Sequence, residues 1–212
     1  AAENSLRRLQ TDYIDVYILH YWDHDTPIEE SLRAMDDLVR QGKVRYVGVS
    51  NFAAWQVVRS LWTSEKLGLE RPQSVQVQYN FLERGPEEEL LPLCLDQGLI
   101  LTPYWVLLAG MFTGKYDRNL APPEGSRVDK RPQSIDRYFT DRNFDAAEQI
   151  KTIATKSGLT PTEVTLAWVL SKPAVGSVIA GTSRPEQVRA NCRAVDVCLS
   201  EDALRNLDSI GT

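Results

Sequence analysis

The chain has 212 residues, 42% hydrophobic and 25% charged, with a net charge of −5. This is the make-up of a soluble globular protein long enough for one domain with a sizeable core, and its acidic balance argues against nucleic acid as a partner. No apolar run nears the roughly 18 residues of a membrane span and no signal-peptide pattern opens the chain. The three cysteines, Cys94, Cys192 and Cys198, lack metal-ligand spacing, so the expectation is a cytoplasmic protein with buried structural thiols and no metal.

Ser5 to Leu9 has the pattern of the closing turns of a helix, and with no Met at position 1 we expect further chain upstream. Asp12 to His20, DYIDVYILH, then alternates Ile14, Val16 and Ile18 on one parity, which predicts a strand with His20 at its end. Thr26, Pro27 and Glu29 predict a capping box opening a helix on Leu32, Met35, Leu38 and Val39 that stops at Gly42. Val44 to Val49 is a second strand, ending at Ser50-Asn51. Ala53 to Lys66 is a helix with Trp55, Val58, Leu61 and Trp62 on one face.

The pattern repeats with a strand over Ser74 to Tyr79, a helix over Pro86 to Gln97 whose first turn is Glu87-Glu88-Glu89, and a strand over Leu99 to Tyr104. A polar segment from about Thr113 to Asn143 has the length of a lid or binding loop. Helices follow over Asp145 to Lys156 and Pro161 to Ser171, then a short strand at Val178 to Ala180, a helix over Pro185 to Arg193 and a last one capped by Ser200.

Alternating β and α elements imply a parallel sheet with right-handed crossovers. No strand is followed by the G-x-G-x-x-G turn of the open dinucleotide fold. Chemistry-bearing residues sit instead at several strand ends (His20, Ser50, Asn51, Gln76, Tyr104, Gly181 and Thr182), as the active face of a barrel requires. The expectation is an α/β chain of the (β/α)8 TIM-barrel type, residues 1–212 forming one partial domain with the last five β/α units. An open barrel of this kind exposes strand edges, at which we expect self-association.

His20 after DYIDVYIL, GKVRYVGVSNF (42–52), VQVQYN (75–80), LAGMFTGKY (108–116) and IAGTSRPEQVRAN (179–191) together resemble the aldo-keto reductases, in particular the longer-loop members. The resemblance covers essentially the whole chain and implies a barrel enzyme that reduces a small-molecule aldehyde or ketone with NADPH. It implies that Ser50, Asn51 and Gln76 hold the nicotinamide carboxamide and that Tyr104 stacks on its ring, roles suited to hydroxyl, amide and phenol groups. Ser50 and Asn51 also suit a turn before the next helix. By the same resemblance the adenosine end meets Gly181, Thr182, Ser183, Arg184, Gln187 and Asn191, where a strand gives way to a helix N-terminus. Thr182 or Ser183 would equally serve as a plain N-cap. Lys115 and Arg127 match positions that clasp the pyrophosphate, and Trp105 and Leu107 follow the stacking tyrosine. Ala190 stands where the family usually has an acid, and Trp105-Val106 where it often has Ser-Pro.

The resemblance also implies hydride transfer to the carbonyl carbon, with a tyrosine protonating the oxygen, a lysine and an aspartate tuning that tyrosine, and His20 orienting the carbonyl. The tyrosine, lysine and aspartate are expected upstream of this sequence. Tyr17 has the wrong parity, Tyr46 and Tyr79 have no lysine placed beside them, and His24 falls in a loop. The chain alone is therefore expected to be weakly active or inactive. A non-catalytic NADPH-binding module, like the reductase-like β subunits of potassium channels, is the alternative. A metal-dependent barrel hydrolase is disfavoured by a histidine count of two.

Overall fold

The computed structural model describes residues 1–211. Four of the expected strands form: β1 (Ile14–Leu19), β2 (Val44–Ser50), β3 (Pro72–Gln78) and β4 (Ile100–Tyr104). β1 pairs with β2 and β2 with β3 in parallel, and the sheet order is β1-β2-β3-β4, the arrangement successive right-handed β/α units produce. The helices are α1 (Ala2–Leu9), α2 (Ile28–Arg40), α3 (Ala54–Leu67), α4 (Leu90–Gln97), α5 (Ile135–Tyr138), α6 (Asp141–Ser157), α7 (Pro161–Leu170), α8 (Pro185–Arg193) and α9 (Glu201–Asp208). The chain divides into two compact units, Ala1–Val77 with Glu87–Thr102 and Gln78–Pro86 with Pro103–Thr212.

In the first unit the register sets Tyr17 beside Val47, Leu19 beside Val49 and Val49 beside Val75. Val47, Val49 and Val75 on this face are wholly buried, with Leu32 and Met35 of α2 and Val57 and Leu61 of α3 in the core. The other face carries the Val16–Tyr46 pair, and both side chains are exposed. Gly48 is required where it stands, because a Cβ there would fall 2.5 Å from Ser74 Oγ and 3.2 Å from the Ile18 side chain. Asp36 ties α2 to the approach to β3: its carboxylate accepts the Glu70 N–H at 2.8 Å and a bond from Arg40.

Several expectations are corrected. The Thr26–Glu29 capping box does not form. Thr26 donates its hydroxyl to Asp23, which also accepts the Asp25 N–H, so a side-chain turn wins over the cap. α4 begins at Leu90, after a 3-10 turn at Gly85–Glu87, so the three glutamates are not its first turn. Trp55, Val58 and Trp62 of α3 are exposed, and Gln56, Ser60 and Ser64 are buried in their place. Those polar groups are satisfied locally: Gln56 accepts the Ala53 N–H, Ser60 donates to the Gln56 carbonyl and Ser64 to that of Glu70. Cys192 and Cys198 are exposed, and Cys94 alone is a buried thiol, its pKa pushed up to about 11 by burial.

The second unit is built around Trp168 of α7, wholly buried and stacked with Phe81 at 4.1 Å and Tyr79 at 5.5 Å. Its indole N–H donates to Asp208 Oδ1 at 2.8 Å, and Lys172 Nζ lies 2.7 Å from the same oxygen. Val178 to Ala180 is not a strand. Ile179 donates one backbone bond to the Pro103 carbonyl (2.8 Å), and the next donor along a parallel ladder, Trp105, has left the extended conformation at φ 59°. The long polar segment is partly ordered by α5, and α6 starts at Asp141, four residues earlier than expected, because the Thr140 hydroxyl accepts the Asn143 N–H. No helix of the described residues is long and apolar enough to cross a membrane.

Candidate functional site

In the first unit, the C-terminal ends of three neighbouring strands are laced together. Asn51 Nδ2 donates to the His20 carbonyl and to Ser50 Oγ, each at 3.0 Å, while the Asn51 N–H donates to the Gln76 carbonyl, also at 3.0 Å. Ser50 and Gln76 are register partners, and Ser50 is fully buried. Asn51 holds a positive φ of 58°, a conformation asparagine tolerates better than most residues. The lacing fixes the backbone at His20, whose exposed ring lies 4.5 Å from that of Tyr21. Beyond it, Trp22 packs on Phe52 at 5.3 Å and Trp55 at 5.4 Å. The N–H of Asp25, then the hydroxyl of Thr26, hold the Asp23 carboxyl below the usual carboxylate range, which pins the loop after His20. Among the described residues, no hydrogen bond or ion pair joins the side chain of His20 or Tyr21 to a lysine or aspartate.

The second unit contains a cavity of about 900 Å³. The turn after β4 contributes Trp105 and Leu107, and the polar segment contributes Lys115 and Arg127. Gly181, Thr182, Ser183 and Arg184 line it at the start of α8, followed by Gln187 and Asn191 on the helix itself. Five basic side chains (Lys115, Arg127, Lys130, Arg131 and Arg184) face it against one acid, Glu124. Polyanions are attracted to such a wall.

The backbone beside this cavity is strained. Trp105, Leu108 and Ala109 have φ values of 59°, 42° and 56°; among the described residues the other positive-φ non-glycine positions are Asn51 and Gln10, which ends α1. Left-handed conformations of this kind cost about 1–2 kcal/mol each and persist where the surroundings impose them. Here the Leu108 N–H bonds the Trp105 carbonyl at 2.9 Å, Asn80 Nδ2 donates to the same carbonyl at 3.2 Å, and the Gly110 N–H bonds that of Leu107 at 2.8 Å. Gly110, at φ 95°, leaves room for Lys115: a Cβ there would lie 2.5 Å from its Nζ. Trp105 is held in turn by the Arg137 guanidinium, 4.5 Å above its ring.

Each expected site residue therefore has a place. His20, Ser50, Asn51 and Gln76 gather in the first unit. The ten from Trp105 to Asn191 named above line one cavity in the second. Tyr104, half-buried, does not line that cavity, and its carbonyl accepts the Tyr79 N–H at 3.2 Å. α8 has Arg184 at its N-cap position with no side-chain cap, so neither Thr182 nor Ser183 is a plain cap. Ser183 instead donates its N–H to Gln187 Oε1 at 2.8 Å, with its hydroxyl 3.3 Å from the same oxygen, which braces the turn against the helix. Lys130 and Arg131 were missed. Their signal is present as Arg127, Lys130 and Arg131 at positions i, i+3 and i+4, the spacing of one face of a helical turn.

A second cleft, of about 640 Å³, runs between α6 and α9 and includes Asp145, Glu148, Lys156 and Asp202 in its lining. It mixes charges of both signs and shares no residue with the first cavity. Among the described residues, no group of three or more His, Cys, Asp or Glu is placed to hold a metal ion.

An oxidoreductase of Bacillus subtilis, YrpG, is 36% identical over 208 residues, which cover 98% of this chain and 61% of that protein. A putative voltage-gated potassium channel subunit beta of Schizosaccharomyces pombe is also 36% identical, over 97% of this chain and 61% of its own length. The crystal structure of a thermostable aldo-keto reductase, Tm1743, superposes with a TM-score of 0.77 at 33% identity, covering 99% of this chain and 64% of the other. The chain thus spans about three fifths of the length of these relatives. The sequence profile of the Aldo/keto reductase family matches residues 1–212, and the chain belongs to that family.

Proposed function

We propose that this chain serves an NADPH-dependent oxidoreductase acting on an aldehyde or ketone, and that the cavity of the second unit holds the phosphate-bearing part of the cofactor. The observation that carries this reading is the wall of five basic side chains against one acid, set beside a strained, glycine-bearing turn. Arg184, Arg127 and Lys115 suit phosphate oxygens, guanidinium groups by bidentate bonding and lysine as a point charge. Gln187 and Asn191 offer amides to the adenine nucleotide. Trp105 and Leu107 supply apolar contact.

In the first unit, Ser50, Asn51 and Gln76 offer the hydroxyl and amide groups a carboxamide needs, and His20 supplies an imidazole that donates to or accepts from a carbonyl oxygen. Bound NADPH supplies the hydride for carbonyl reduction. His20 orients the substrate oxygen, and the lacing through Asn51 keeps its backbone fixed while it does so.

Fluorescence titration of the 212-residue chain with NADPH tests the binding reading, with saturable binding expected. No binding, with circular dichroism showing a folded chain, overturns it. Among the described residues, His20 and Tyr21 make no side-chain bond to a lysine or aspartate, so the same chain is expected to reduce a reactive aldehyde far more slowly than complete family enzymes. Turnover at about 1 s⁻¹ or faster would contradict that. A second reading, an NADPH-binding module without catalysis, draws on the equal similarity to the channel beta subunit and would be favoured by binding with no turnover in the whole protein.

A further inference from the structure

We propose that Ser134 is a phosphorylation site for a serine kinase that selects basic residues, and that a phosphate there pairs with Lys130 and Arg131 and weakens anion binding in the cavity they line. The regulatory half rests on the reading of that cavity as a dinucleotide site and deepens it.

The tetrapeptide Arg-Pro-Gln-Ser occurs twice in the chain, at 71–74 and 131–134, each time followed by a β-branched apolar residue, Val75 or Ile135. An acidic kinase subsite that takes the arginine three residues before the serine meets the same spacing in both. The fold separates them. Ser74 lies inside β3, 8% exposed, in register with Gly48. Ser134 ends the short 3-10 turn Pro132–Ser134, half-buried, and its hydroxyl donates to the Arg131 carbonyl at 2.7 Å in a solvent-exposed bond. Presenting Ser74 means extracting a strand from the sheet. Presenting Ser134 means opening one turn, and α5 after it is four residues long with no side-chain cap. Lys130 adds a second cation before Arg131, where the other copy has Glu70. Thr11 and Thr140 also follow an arginine by three residues. Thr11 is followed by the acid Asp12, and the Thr140 hydroxyl is held at the start of α6 by the Asn143 N–H.

The Ser134 N–H also donates to the Arg131 carbonyl, at 2.9 Å, so the two residues stand one 3-10 turn apart, a spacing at which side chains lie one above the other. Lys130 and Arg131 line the cavity, whereas Ser134 does not. Among the described residues, the side chains of Lys130 and Arg131 have no ion-pair partner. In the transfer, Ser134 Oγ bonds to the γ-phosphorus of ATP and the bond from that phosphorus to the β–γ bridging oxygen breaks. ADP leaves with the electron pair, and the hydroxyl proton passes to the kinase's base. The phosphoserine carries about two negative charges and three acceptor oxygens, set beside unpaired cations. It engages Arg131 and Lys130 in charge-assisted bonds, and a ligand in the cavity then meets Lys115, Arg127 and Arg184 without them.

The test is incubation of the 212-residue chain with ATP and a basic-directed serine kinase, mapping of the phosphate by mass spectrometry, and fluorescence titration of both forms with NADPH. We expect one phosphate, on Ser134, and none on Ser74. NADPH affinity should fall about tenfold on modification, return after phosphatase treatment, and differ less between the two forms as salt is added. Ser134→Ala should take up no phosphate and bind NADPH within about twofold of the unchanged chain. Absence of phosphate on Ser134, or a phosphorylated chain with unchanged NADPH affinity, would overturn the inference while leaving the dinucleotide reading standing. An unmodified chain that binds no NADPH overturns that reading and the regulation built on it.

Discussion

Trp168 in the second unit is stacked on two aromatic rings with its indole N–H on Asp208, whereas Trp55 and Trp62 of α3 in the first unit stand 57% and 59% exposed. The same residue type is thus a keystone in one unit and a surface group in the other. The difference lies in what each unit does with its polar side chains. α3 turns Gln56, Ser60 and Ser64 inward because each finds a nearby backbone partner. α7 buries Val164 through Val169 around its tryptophan, and in that run only the Thr165 hydroxyl is polar, donating to the Pro161 carbonyl at 2.8 Å. A buried hydrogen-bonded polar face and a buried aromatic face are both stable, but they respond differently to substitution.

The sharpest break of this contrast is Trp168→Ala, which removes both ring stacks and leaves Asp208 without its indole donor. We expect a loss of about 3–5 kcal/mol in urea unfolding of the second unit. Next in size is Asp36→Ala in the first unit, which strands the Glu70 N–H and the Arg40 side chain. A loss of about 1–3 kcal/mol is expected, read from the same denaturation curves.

A third test uses pH. Burial opposes ionisation of Asp208, but hydrogen bonds from Lys172 and Trp168 outweigh it and hold the carboxyl below the usual range. The folded pKa is therefore lower than the unfolded value of about 3.9. Its stabilisation is complete above that value and is lost as the pH falls through the folded pKa. Asp208→Asn should lower the melting temperature at neutral pH, and the gap from the unchanged chain should close on acidification below about pH 4. A gap that stays constant through that range would contradict the assignment. The smallest effect is expected for Trp62→Ala, within about 0.5 kcal/mol, because little apolar surface leaves water there on folding. A loss comparable to that of Trp168→Ala would erase the contrast between the units.

The strands and the strand-end groups were legible in the sequence because period-two alternation is strong over Ile14–Leu19 and Val44–Ser50, and because Ser50-Asn51 and the run Gly181 to Asn191 carry residue types tied to particular chemistry. The buried face of α3 was not, since hydropathy ranks Trp55 and Trp62 above Ser60 and Ser64 without seeing the hydrogen bonds that admit the serines. The strand expected at Val178–Ala180 does not form because the neighbouring chain turns away at Trp105, φ 59°, a residue distant in sequence. The cap at Thr26 is not legible because Asp23, three residues earlier, competes for its hydroxyl through a side-chain bond that spacing alone does not reveal. Lys130 and Arg131 were overlooked in a segment whose polarity suggested only a loop, although their spacing with Arg127 already placed them on one face.

The cavity assignment is tested most directly by hydrogen–deuterium exchange of the 212-residue chain with and without saturating NADPH. The account predicts slowed exchange of amides at 105–115, 124–131 and 181–191, with the cleft between α6 and α9 unchanged. Slowed exchange in that cleft instead, with residues 105–131 and 181–191 unaffected, would contradict it.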